Sequence, residues 1–215
     1  MKSFLSQQHF PRLWLIFQSI MGDRDKQKLA IEYYSGEKRV LEIGCSCGNI
    51  SAVFKEFPDI EFLGIDIDQI AIDVAKKRFS KNKNFIFLNI SLDEIKETNQ
   101  KFNYILVASI LHHVDNSITK KILNDALAVL APKGKLVICE PNKPGPNDPL
   151  VFHRNVHYFE KGEYLRTQDE LLMIINEIDA KILTWENREV NPRFVKWSHP
   201  NPWNIFSIIQ IVPNI

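Results

Sequence analysis

Between residues 39 and 140 the chain alternates five short apolar runs with amphipathic stretches, and that rhythm leaves few folds open. The runs at 39–43, 61–65, 85–88, 104–108 and 135–140 are too short for helices. They are rich in Val, Ile, Leu and Phe, as strands buried on both faces must be. Between them, 50–57, 69–79 and 119–130 read as helices. Ile70, Val74 and Phe79 mark the core-facing side of one, and Ile122, Leu123, Ala126, Leu127 and Leu130 that of another. Strands alternating with helices at this spacing predict a doubly wound, Rossmann-like α/β fold with a mostly parallel sheet. Pro132-Lys133-Gly134 is expected to stop the second helix, with Gly134 as a left-handed cap and Pro132 as a breaker.

The first strand runs into Glu42-Ile43-Gly44-Cys45-Ser46-Cys47-Gly48-Asn49. A strand, a turn of small residues and a helix N-terminus bring a ligand close to the backbone and to free N–H groups. The second strand ends in Asp66, about 20 residues past the loop, where an open α/β sheet holds a ribose by its hydroxyls. Asp68 directly precedes Gln69 and reads as the cap of the following helix. The loop lacks the longer G-x-G-x-x-G spacing of dinucleotide binders, which disfavours a nicotinamide-dependent oxidoreductase.

Glu42, the glycine loop with Ser46 in place of its middle glycine, and Asp66 together resemble motif I of the class I S-adenosylmethionine (SAM) methyltransferases. Leu111-His112-His113-Val114 and Leu130-Ala131-Pro132-Lys133-Gly134-Lys135-Leu136 also look like segments of small-molecule members of that superfamily. The resemblance covers about 36–140. It implies a seven-stranded sheet whose last strand is antiparallel, supplied here by runs at 181–186 and 206–212. It also implies SAM as cofactor and S-adenosylhomocysteine as product. The cofactor-binding positions it carries over are Glu42, Gly44, Cys45, Ser46, Gly48, Asp66, Ile67, Asn89, Ile90 and Ser109. Asp66 would take the ribose, Ile67 the adenine face, and Asn89 the adenine amino group, with an N–H from Ile90 or Ser91. Ser109 would lie under the methionine part, and Arg24, Lys26 or Lys28 would pair with its carboxylate.

His112 and His113 are the candidate catalytic bases, since they leave the fourth strand at its ligand-binding end and imidazole titrates near neutrality. Consecutive residues point apart, so one of the two is expected to face the pocket. A Pro-rich stretch at 141–149 separates this core from a segment rich in His, Tyr, Phe and Arg. That segment reads as a substrate lid in which Arg154, His157, Tyr158 and Arg166 face the acceptor. His153 and His157 lie four apart with Glu160 near, but without the H-E-x-x-H pattern no metal is expected.

The chain thus reads as one methyltransferase domain over 1–215. It comprises an N-terminal helical cap (1–35), a cofactor-binding core (36–140), a lid (141–166), and a C-terminal helix with closing strands (167–215). The cap contains a helix at 25–34 and aromatic side chains such as Trp14 and Phe17. A capping box at Thr167–Glu170 opens the C-terminal helix, and Trp197 and Trp203, in the loop between the closing strands, either pack or border the acceptor mouth.

A net charge of +1 offers nothing to a polyanion, and Ala108-Ser109-Ile110-Leu111 stands where amino-methyltransferases of nucleic acids carry an Asn/Asp-Pro-Pro-aromatic motif. A small-molecule acceptor is therefore expected, with no nucleic-acid and no membrane partner. Three cysteines without a framework suit a reducing cytoplasm. The rival reading is a methyltransferase-like binding or scaffold protein of weak or no activity, for which Ser46 and Asn89 argue.

Overall fold

The computed structural model describes residues 23–160, 162–192 and 204–214. Seven strands form one sheet: β1 (Arg39–Ile43), β2 (Glu61–Ile65), β3 (Phe85–Leu88), β4 (Phe102–Ala108), β5 (Leu130–Pro141), β6 (Ala180–Val190) and β7 (Asn204–Pro213). Their order is β3-β2-β1-β4-β5-β7-β6. β1 to β5 run parallel, and β7 is antiparallel to both β5 and β6. This is the expected fold, with the turn-around strand inserted between β5 and β6.

Alternation along each strand divides the core into two layers. Val40, Phe62, Tyr104, Leu106, Val137 and Phe206 point to one face, beneath α1 (Asp23–Ala30), the 3-10 turn Ser51–Glu56 and α2 (Gln69–Arg78). Leu41, Leu63, Ile105, Val107, Ile138 and Ile209 point to the other, beneath α3 (Leu92–Glu97), α4 (Asn116–Ala128) and α6 (Gln168–Asn176). α5 (Leu150–Phe159) is the helix of the expected lid. The buried Tyr104 hydroxyl donates to Ala30 O at 2.7 Å and ties α1 to the sheet.

Several local expectations are corrected. The segment after the glycine loop is a six-residue 3-10 helix rather than an α-helix. Pro58 holds Phe57 extended and stops the turn early. α1 starts and ends earlier than 25–34. Beyond Ala30, Ile31 and Glu32 bond three residues back, to Lys28 O and Leu29 O, a tightened exit. α4 ends at Ala128, before Pro132, and the left-handed residue is Lys133 (φ 63°) instead of Gly134. Gly134 is needed for closeness: a Cβ there would stand 2.9 Å from Ala131 O and 3.1 Å from Asn103 O. α3 was not anticipated, although Ser91 and Glu94 form a full capping box at its start. Trp14, Phe17, Trp197, Trp203 and the side chain of Tyr158 lie outside the described residues.

Candidate functional site

The strand order reverses between β1 and β4, and the crevice at their C-terminal ends is where an open α/β sheet binds ligands. The glycine loop rises from that point. Gly44 N and Cys45 N both donate to Ile65 O, at 2.8 and 3.0 Å, and Gly48 N donates to Cys45 O at 2.9 Å. Gly44 (φ 72°), Ser46 (φ 49°) and Gly48 (φ 74°) are all left-handed. Glycine adopts that region freely, whereas serine there carries a cost of about 1 kcal/mol. The position where the resemblance asks for glycine is thus one where the backbone asks for it too.

Asp66 is built into this loop. Its Oδ2 accepts from Ser46 N at 2.8 Å and its Oδ1 from Asp68 N at 2.9 Å. Burial raises its pKa, and these N–H donors work against the rise. Asp68 caps α2, accepting from Ile70 N and Ala71 N, as expected of it. Ile67 projects 84% exposed beside them, a bare apolar platform. Asn89 uses its amide N–H₂ on Asp66 O at 2.9 Å, so it buttresses the acid strand. The Ser91 N–H is occupied by Glu94 Oε2 at 2.7 Å, which removes it as an adenine donor. Ile90 packs partly buried against the core beside it. Ser109 is left-handed (φ 56°), and its buried Oγ has no hydrogen-bond partner.

Glu42 lies under the loop, 2% exposed, with its carboxyl bonded to the Ser51 hydroxyl. Burial pushes its pKa up to about 8; the Ser51 bond opposes the rise and the Asp66 charge adds to it. Cys45 and Cys47 are buried free thiols, both raised in pKa by burial.

The second half of the site is the turn after β4. Glu140, the penultimate residue of β5, accepts from Ile110 N (2.7 Å), Leu111 N (2.9 Å) and His112 N (3.3 Å), and pairs with His112 Nδ1 at 2.7 Å. Burial works to raise the Glu140 pKa, but the His112 imidazole and the N–H groups hold it below the usual carboxylate range. His112 is buried and His113 reaches the surface. Their rings stand 4.0 Å apart. Desolvation, and then the neighbouring His112, lower the His113 pKa to about 4; Glu140 and Glu160 act to raise it and Lys26 to lower it. Lys26 stands 5.1 Å from the Phe206 ring centroid, whereas Lys28 is spent on a surface pair with Asp25.

Arg166 does not face an acceptor. It is 8% exposed, and its guanidinium donates to Leu111 O (2.7 Å), Val114 O (2.7 Å) and Asn116 Oδ1 (2.9 Å). On α5, Phe152, Asn155 and Val156 are buried, while Arg154 and His157 lie exposed. His153 is occupied with Gly145 O at 3.0 Å. Among the described residues no group of three His, Cys, Asp or Glu side chains is disposed to hold a metal. Sequence reasoning missed Glu140 as part of the site and gave Arg166 a different role. An acid closing a buried parallel strand was the available signal for the first.

Residues 40–134 match the family model of the methyltransferase domain. That segment, which spans β1 to β4 with the glycine loop and Asp66, is similar to the methyltransferase domain. A similar curated protein is an uncharacterized protein of Rickettsia prowazekii (strain Madrid E). It is 28% identical over 148 residues, 65% of this chain and 59% of that protein. The match thus spans less than two thirds of that relative's length. Among solved structures, human N-acetylserotonin methyltransferase in complex with SAM aligns with a TM-score of 0.68 and 13% identity. That match covers 97% of this chain and 56% of the other. The [4+2]-cyclase SpnF aligns with a TM-score of 0.69 and 17% identity, over 90% and 82%. At these identities the structures establish the methyltransferase fold. No helix among the described residues is long and apolar enough to cross a membrane.

Proposed function

We propose that this methyltransferase domain uses SAM to methylate a small-molecule acceptor. The observation that carries the reading is the Asp66 carboxylate set by two backbone N–H groups at the rim of a left-handed glycine loop. A carboxylate so placed accepts from two vicinal ribose hydroxyls at once. The surroundings fit the rest of SAM. Ile67 offers an apolar face for adenine, and Ser109 brings an orphaned buried hydroxyl to the methionine side. Gly44, Cys45, Ser46 and Gly48 supply the backbone that the ligand approaches, and protonated Glu42 keeps a second negative charge out of the floor at neutral pH.

When bound, SAM would supply a methyl group activated by its sulfonium, open to in-line displacement by the acceptor's lone pair with the bonding pair left on sulfur. The protein's part is alignment, which supplies on the order of 7–11 kcal/mol, and exclusion of water. His113 is the exposed imidazole at the end of β4, and at neutral pH it is uncharged. A pKa near 4 makes it roughly a thousandfold weaker as a base than one matched to pH 7. We therefore assign it to accepting a hydrogen bond from the acceptor's O–H or N–H, and His112 with Glu140 to holding the turn. Arg154, His157 and Tyr158, on α5, belong to the substrate-binding side of this proposal.

A second reading, a binding protein of weak activity, draws support from Asn89, whose amide is turned to Asp66 O, and from the strained Ser46. Titration calorimetry with SAM, S-adenosylhomocysteine and NADH separates the readings. Binding of both adenosyl ligands and not of NADH is expected. Failure of both adenosyl ligands to bind would sink the proposal, and binding of SAM without turnover on any acceptor would favour the second reading.

A further inference from the structure

The excursion between β5 and α6 leaves the sheet at Asn142 and returns at Arg166, and its two ends are fastened together. Lys143 N donates to Arg166 O at 2.8 Å, and Asn142 and Arg166 form a parallel bridge. The returning end is also seated on the histidine turn. Tyr164 N donates to His112 O at 3.0 Å. Gly162 sits so close to the His112 ring and carbonyl that a Cβ would overlap both. The Arg166 guanidinium then reaches through to three acceptors spread over residues 111–116. Glu140 holds the same turn from the other side, through three N–H groups and the His112 ring. The turn is therefore clamped between an anion that takes the N–H groups of Ile110, Leu111 and His112 and a cation that takes the carbonyls of Leu111 and Val114.

We propose that Arg166 is a positioning residue for the acceptor site, one that sets the placement of His113 by holding the carbonyls of Leu111 and Val114 on either side of it. This rests on the methyltransferase reading for its meaning but not for its test. A planar fork with separate donors is required, because the three acceptors belong to three residues. A lysine keeps the charge and reaches one or two of them.

The test compares wild type with Arg166→Lys in imidazole NMR titrations of the ¹³C-labelled full chain, with calorimetric titration of S-adenosylhomocysteine alongside. The charged and titratable groups acting on His113 are His112 of its own turn, Glu140 of β5, Glu160 at the end of α5 and Lys26 of α1. In wild type His113 titrates well below an ordinary histidine. In Arg166→Lys the loosened turn is expected to part His113 from the His112 ring and hydrate its inner side, which raises its midpoint by about one pH unit or more. S-adenosylhomocysteine affinity should stay within about threefold, since Arg166 touches nothing in the glycine loop. Asn116→Ala, which removes one of the three contacts, should shift the midpoint in the same direction by less, and it serves if Arg166→Lys does not fold. A folded variant with an unmoved His113 midpoint would overturn the proposal. Loss of ligand binding in wild type itself would count against the methyltransferase reading and leave the His113 comparison standing.

Discussion

At the scale of single residues, the loop shows how a substitution is absorbed. Ser46 occupies a left-handed position and still delivers its N–H to Asp66. Ser46→Gly should therefore stabilise the protein by about 1 kcal/mol, read as a shift in the denaturant midpoint at constant m-value. A loss of stability would show that the serine side chain contributes more than its backbone strain removes. Glu42 makes a second prediction. Its pKa is raised from 4.5 to about 8 in the folded state, so between those values the folded chain binds a proton that the unfolded chain releases. Its stability contribution is intact below pH 4.5 and is lost as pH rises through 8. By pH 7 that loss amounts to about 3 kcal/mol. Glu42→Gln keeps the shape and removes the titration. Urea melts from pH 5 to 8 should fall less steeply with pH in the variant, and parallel curves would contradict the raised pKa.

At the scale of elements, the β2–α2 junction separates two carboxylates that look interchangeable in the sequence. Asp68 bonds the first N–H groups of α2, and Asp66 bonds the loop on which the cofactor is proposed to sit. Asp68→Ala should cost about 1 kcal/mol of stability with little change in SAM affinity. Asp66→Ala should weaken SAM binding by about 1.5–3 kcal/mol, the range for a hydrogen bond to a charged group. Calorimetry and thermal melts on both variants check the crossover, and equal SAM affinities would refute the assignment. This junction was legible because strand end, cap and helix follow one another locally. The histidine turn was only half legible. His112 and His113 were visible as a pair, but which one is buried depends on Glu140, 28 residues further on, and on Arg166, 54 beyond His112.

At the scale of the whole molecule, β7 ties the edge strand β6 to the parallel strands. It pairs with β5 over six registered positions and with β6 over ten, and it is the common neighbour of both. Phe206, Ile208, Ile209 and Ile211 are each no more than 1% exposed. At about 1.5–3 kcal/mol per buried side chain, their burial is comparable to the whole net stability of a domain. A chain ending at residue 192 should therefore show no cooperative thermal transition by circular dichroism. A sharp transition in that truncation would mean that β1–β5 fold without their closing strand.

By itself the sequence determined the alternation of strands and helices and the glycine loop with its acid, because each is written in local periodicity, turn chemistry and spacing, while the seven-stranded class followed from the family resemblance. Only the tertiary structure decided the roles at the acceptor end. Arg166 reads as a lid residue along the chain and is a buried clasp in space. Glu140 reads as the end of a strand and is the anchor of the histidine turn. His113 reads as a base and is held at a pKa too low to be a strong one. These roles come from burial and from hydrogen bonds between distant segments, whose energies depend on which polar groups lose water together, and no local pattern records that.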